Sequence, residues 1–108
     1  ELIPTLSWLR TQASATGLDV AVAGRAGLGV VDVRLDGTLD TQARVISELR
    51  ERLPIGRGSA VIRHGDAALR QRVNAWGGIG DGKRVMQAVK RRFDPDNLIN
   101  VGRGPGGL

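Results

Sequence analysis

An α+β fold is what this sequence predicts, and three observations predict it. Apolar residues recur every three to four positions near the start, every second position between Leu18 and Leu35, and every three to four again beyond Leu39. The two alternating runs flank a short loop bounded by Gly24 and Gly27, which reads as an antiparallel hairpin. A third short β-like run, residues 59–63, follows the second helical stretch. The order is therefore helix, strand, strand, helix, strand, helix. Its first five elements equal a ferredoxin-like βαββαβ unit without its first strand: a two-layer fold with the helices on one face of the sheet. That strand belongs in the middle of such a sheet. It is expected upstream of residue 1, and its slot leaves an exposed strand edge through which copies of the chain can pair into a homo-oligomer.

Each element has its own cause. Pro4 suits the first turn of a helix, and Leu2, Leu6, Leu9 and Ala13 follow at helical spacing up to a cap at Gly17, so the first helix spans about residues 4–16. Trp8 lies beside that stripe, placed to reach a neighbouring domain. In the first strand Leu18, Val20 and Val22 alternate with Asp19, Ala21 and Ala23. In the second, residues 28–35, Val31, Val33 and Leu35 share one side and Asp32 and Arg34 the other. Asp36 and Gly37 close the hairpin with a turn. Thr38 or Asp40 can cap the next helix, whose stripe is Leu39, Ala43, Ile46, Leu49 and Leu53. Glu48 and Arg52 are an i, i+4 pair of favourable order, and Pro54 and Gly56 end the helix. His64, Gly65 and Asp66 break the third strand. Residues 67–73 have room for one or two helical turns, and the glycine-rich stretch 76–82 is a connection.

The last helix stacks Val85, Val89 and Phe93 four apart, with Met86 beside them and Lys83, Arg84, Gln87, Lys90 and Arg91 opposite. Pro95 disfavours helical geometry at Asp94 and stops the ladder. Leu98 and Ile99 are the large anchors of the tail that follows, so this tail is expected to lie against something. Residues 1–82 form the α+β core of a single domain and residues 83–108 the final helix and irregular tail.

A chain of 108 residues accommodates one domain. The absence of cysteine excludes disulfides, thiolate metal sites and thiol catalysis. The chain opens on Glu1 and reads as a fragment or processed product. No apolar run approaches the ~20 residues of a membrane span, and no signal-peptide pattern opens it. The expected compartment is the cytoplasm, with membrane association only through partner subunits. The net charge of +5 comes from 16 Lys+Arg against 11 Asp+Glu. With Trp8, Trp76 and Phe93 as the only aromatics, the chain is poorly equipped for base stacking. A solvated basic surface is expected, and no nucleic-acid partner.

Three residues could act on a small acid. His64, the single histidine, ends the third strand and can serve as a general acid or base; a strand-end histidine with no role is the alternative. Arg25 and Arg63 also sit at strand ends, and guanidinium groups grip carboxylates bidentately. The glycine-rich segments 24–29 and 77–82 fit neither a dinucleotide fingerprint nor a P-loop, and read as turns. In the tail, Asn100 can hydrogen-bond a ligand and Arg103 can pair with acidic groups; a purely structural anchor is the alternative.

The positions of Met86, Lys90, Phe93, Asp94, Pro95, Leu98, Asn100, Gly102 and Arg103 carry a resemblance. They resemble the C-terminal end of the FAD-linked oxidases of the glycolate oxidase and D-lactate dehydrogenase family, most of all its flavin-binding subunit. The likeness is strong over residues 85–104 and looser over the second half of the chain; Val101 stands where the family has proline. The family's hairpin carries His-x-Gly-x-Gly-x-x-His. This chain keeps Gly27 and Gly29 but has Arg25 and Asp32 at the histidine positions. The family's Glu-His-Gly after the last cap strand is Arg63-His64-Gly65 here.

The resemblance implies the C-terminal cap domain of an FAD-dependent oxidoreductase, with FAD held mainly by an upstream domain of the same chain. The flavin would take a hydride from a 2-hydroxy acid such as glycolate, giving a 2-oxo acid, and electrons would pass on to an iron–sulfur subunit. His64 is then the catalytic candidate, Arg25 and Arg63 the substrate-binding ones, and Asn100 and Arg103 the cofactor-binding ones. One histidine among arginines cannot supply converging metal ligands, so no metal is expected. The fragment alone is expected to be inactive. The alternative reading is a non-catalytic ferredoxin-like assembly module of an oxidase complex.

Overall fold

The computed structural model describes residues 2–53 and 56–108. Its elements are α1 (Leu2–Thr16), β1 (Asp19–Arg25), β2 (Val30–Asp36), α2 (Leu39–Arg52), α3 (Ala67–Arg72) and α4 (Gly82–Phe93), with single 3-10 turns at Ala26–Leu28 and Pro105–Gly107. The fold is α+β. Among the described residues it has one two-stranded antiparallel sheet and four α-helices.

α1 ends at Gly17, whose φ of +69° is the left-handed cap that glycine adopts without a Cβ clash. The hairpin register runs from Asp19↔Asp36 to Arg25↔Val30. Side chains alternate across a strand, so Val20, Val22, Val31, Val33 and Leu35 share one face, and Ala21, Ala23, Asp32 and Arg34 the other. The first face packs under α1, where Leu9, Leu18 and Val45 are buried together. Thr38 caps α2, its hydroxyl accepting the Thr41 N–H at 3.3 Å.

α2 is shared by two small cores. Val45 enters the first; Ile46 joins Leu69 and Val73 in the second, beneath α3. A helix packed on two sides needs two adjoining apolar positions, which is why fully buried Val45 lies outside the five-residue stripe read from spacing. Glu48 pairs with Arg44 at 3.8 Å rather than with Arg52. Arg52 instead lies 5.1 Å over the Trp8 ring, so its own chain covers part of Trp8. The helix is already over at Leu53, which has extended geometry; the stop expected at Pro54 lies outside the described residues.

The third strand expected over residues 59–63 does not form, and the observed order is helix, strand, strand, helix, helix, helix. A strand requires a backbone ladder to a neighbour. Here the Ile62 N–H donates to the Ala75 carbonyl at 2.8 Å, but the carbonyls of Ala60, Asn74 and Ala75 are taken by the Arg50 side chain at 3.0, 2.6 and 3.0 Å. The link from this segment to β2 is a side chain, Arg63 to Asp32. Arg72 and Asp40 form a further ion pair between α3 and α2. No helix among the described residues is long and apolar enough to cross a membrane.

Candidate functional site

The chain presents two groups of candidate residues, one in the C-terminal unit and one on the hairpin. The C-terminal unit is organised by Asp94. It follows Lys90 by one helical turn, a spacing that brings the two side chains together. Their ion pair measures 2.7 Å, and the Asp94 side chain is only 9% exposed. The Asp94 carboxylate also accepts the N–H groups of Leu98 at 2.8 Å and Ile99 at 3.0 Å, while the Lys90 ammonium donates to the Ile99 carbonyl at 2.7 Å. The tail therefore turns back on the helix end. Asn97 and Asn100 make the turn possible in left-handed geometry, φ +54° and +47°, which asparagine tolerates better than most residues.

Lys90, with the two backbone donors after it, holds the Asp94 carboxyl at about 2, below its ordinary 3.8. A depressed carboxyl stabilises the fold above its unfolded value and loses that contribution as pH falls through its folded value. The lock is therefore expected to be intact above pH 3.8 and to release around pH 2. The amide resonances of Leu98 and Ile99 should titrate with a midpoint near 2, and Asp94→Asn should abolish that titration. A midpoint at the ordinary value would show that the carboxylate does not hold the tail.

The anchors of this tail are not the expected ones. Leu98 and Ile99 are fixed by their backbone, and their side chains are 78% and 61% exposed. Trp76 does part of the anchoring, its indole N–H donating to the Arg103 carbonyl at 2.9 Å. The Ile79 side chain packs so close to Gly106 that a Cβ there would come within 2.4 Å of it. Asn100 and Arg103 are both exposed, with the Arg103 N–H donating to the Asn100 carbonyl at 3.0 Å. The apolar face of α4 is open as well: Val85 is 67%, Met86 39%, Val89 53% and Phe93 81% exposed.

On the hairpin, Arg63 and Asp32 meet across 31 positions of sequence, Nη1 to Oδ1 2.6 Å. Arg25 ends β1 opposite Val30, and Asp32 is opposite Ala23, so Arg25 and Asp32 are diagonal neighbours on the polar face of the sheet. The fold thus brings Arg25, Asp32 and Arg63 to one end of that face. His64 is exposed and makes no hydrogen bond among the described residues. The Arg63 guanidinium already holds a carboxylate, and both side chains are about two-thirds exposed (68% and 69%). Such a pair contributes about 0–1 kcal/mol and is easily exchanged for another carboxylate. Among the described residues no three His, Asp or Glu side chains converge as metal ligands would.

Two hollows lie elsewhere. A small one, about 80 Å³, is lined by Arg50, Ala60, Trp76 and Gly77. An open groove of about 710 Å³ runs between α1 and β1, lined by Ile3, Leu6, Arg10, Val20 and Val22 among others. Neither contains Arg25, Arg63, His64, Asn100 or Arg103.

Three features escaped the sequence reading. Arg50 carried a signal: Leu39, Ala43, Ile46, Arg50 and Leu53 are at helical spacing, and a cation on an apolar stripe marks a buried hydrogen-bonding role. The Lys90–Asp94 spacing was a signal too. The meeting of Asp32 with Arg63 left none, being a product of tertiary structure. Compared with known proteins, the chain matches no family model, no curated protein and no solved structure.

Proposed function

We propose that this chain is the C-terminal cap domain of an FAD-linked oxidase subunit of the glycolate oxidase type, acting on a 2-hydroxy acid. The observation that carries the proposal is the open face of α4. The motif residues divide into two jobs: Lys90 and Asp94 lock the tail, while Met86, Phe93 and Leu98 stand exposed. An amphipathic helix with an uncovered apolar face needs a partner, and the upstream flavin domain of the same chain is the occupant this reading assigns. That domain would hold FAD, which supplies hydride acceptance. Arg25, Arg63 and His64 would face the substrate carboxylate, and Asn100 and Arg103 the flavin side. The finer architecture in this reading is ferredoxin-like, with an upstream strand entering between β2 and residues 59–63, where Arg63 now bonds Asp32. Electrons would leave through an iron–sulfur partner subunit.

The test is on the parent protein that includes the region before residue 1. It is expected to show a flavin absorption spectrum that bleaches on anaerobic addition of glycolate or D-lactate. A parent without flavin overturns the proposal.

One observation favours the second reading, a non-catalytic assembly module. Asp32 and Arg63 occupy positions that match ligand positions in the family, and here they neutralise each other. That reading expects bound flavin that neither acid reduces, and unchanged complex turnover when Arg25 and His64 are substituted.

A further inference from the structure

The outer edge of β1 is open. Among the described residues β1 pairs with β2 alone, so its other row of backbone donors and acceptors has no strand beside it. The α1–β1 groove is lined from this same strand, by Val20 and Val22, and from α1 by Ile3 and Leu6. Edge strands are normally guarded by lysine, proline, a bulge or an inward-pointing charge. β1 reads Asp-Val-Ala-Val-Ala-Gly-Arg, with no lysine, proline or bulge and no charge between its two end residues. Its charges lie at its two ends, opposite in sign, six residues apart and on one face.

That pattern is self-complementary. If two β1 strands lie antiparallel about Val22, Asp19 falls opposite the partner's Arg25, and Arg25 opposite the partner's Asp19. Ala21 meets the partner's Ala23, so nothing bulky blocks the polar face, and Val20 and Val22 meet the partner's edge on the groove side. Neither Asp19 nor Arg25 has a hydrogen bond or ion pair from its side chain among the described residues. Within the chain Asp19 faces another carboxylate, Asp36, so a cation across the free edge offsets an existing repulsion. The α4 face is the poorer self-interface: Lys83, Arg84, Lys90, Arg91 and Arg92 crowd one helix that has no acidic residue.

We infer that a second copy of this chain docks on the β1 edge, giving a two-fold dimer with a continuous four-stranded sheet and Val22 on the axis. This edge is the opposite one from the slot of the missing ferredoxin-like strand, and the inference does not depend on the oxidase reading.

Sedimentation equilibrium of the 108-residue chain tests it. The wild type is expected to dimerise. Asp19→Arg or Arg25→Asp alone replaces two attractive pairs with two repulsive ones and should raise the dissociation constant about tenfold. The double swap restores the pairs and should restore the dimer. A wild type that stays monomeric at millimolar concentration overturns the inference. So does a dimer indifferent to both single swaps, or a double swap that fails to restore it. Val22→Cys gives a second readout in a chain with no other thiol. Directly opposed strand residues have Cα atoms about 4.5–5.5 Å apart, within disulfide reach. Oxidation should cross-link Val22→Cys and leave Ser47→Cys, on the exposed side of α2, as monomer; equal cross-linking of the two overturns the register.

Discussion

Replacing Arg50 with leucine is expected to cost about 3 kcal/mol of stability, a large share of the roughly 5–15 kcal/mol that holds a small domain together. Leucine keeps the apolar stem that packs along α2 but removes the guanidinium. Three carbonyls then lose their donor: Ala60 at 3.0 Å, Asn74 at 2.6 Å and Ala75 at 3.0 Å. A hydrogen bond from a charged donor contributes about 1.5–3 kcal/mol. Water can reach the Asn74 carbonyl and replace part of that, while Ala60 and Ala75 are half-buried, so the sum falls below three full bonds. Burial lowers the Arg50 pKa, yet a guanidinium stays charged at any working pH. Arg50→Lys should recover less than half the loss, because a point ammonium cannot span the fan of acceptors that a planar fork covers. Urea unfolding followed by circular dichroism reads the effect. An unchanged midpoint in Arg50→Leu would mean that water satisfies all three carbonyls and that the segment from residue 56 to 78 holds itself in place.

Arg50 also explains where reading from sequence succeeds and where it stops. α1, α2 and α4 were legible because each is fixed by local periodicity and a local boundary, Gly17, Thr38 and Pro95. The hairpin was legible from its two alternating runs, but Gly24 and Arg25, expected in its loop, belong to β1, and the loop is residues 26–29. The run 59–63 has the composition of a strand, but a strand is a relation between two segments and composition cannot show the absence of a neighbour. The same limit applies to the sites. The spacing within β2 put Asp32 and Arg34 on the polar face correctly, but pairing Asp32 with Arg63 needed the whole fold. In the tail, Leu98 and Ile99 looked like anchors because large apolar residues usually are. The actual anchors are the polar Asp94 and Lys90 and the backbone of the two apolar residues, leaving their side chains outward.

Those outward side chains lead to the second large effect, one that depends on context. Val89→Gln with Phe93→Gln is expected to leave the 108-residue chain as stable as before, within about 0.5 kcal/mol. Both side chains are more than half exposed, and glutamine suits a helix at least as well as valine or phenylalanine. On the cap-domain reading, the same pair should cost about 4 kcal/mol in the longer parent protein. Covering valine and phenylalanine stabilises by about 1.5–3 kcal/mol each, and a covered amide without a partner adds its own penalty. Thermal unfolding of chain and parent side by side, with flavin release as a second signal, separates the cases. A drop in the parent alone places the upstream domain on α4. Equal insensitivity in both leaves the face solvated and removes the principal support for the cap-domain reading. A drop in both would mean that Val89 and Phe93 already support the chain's own fold, against their exposure.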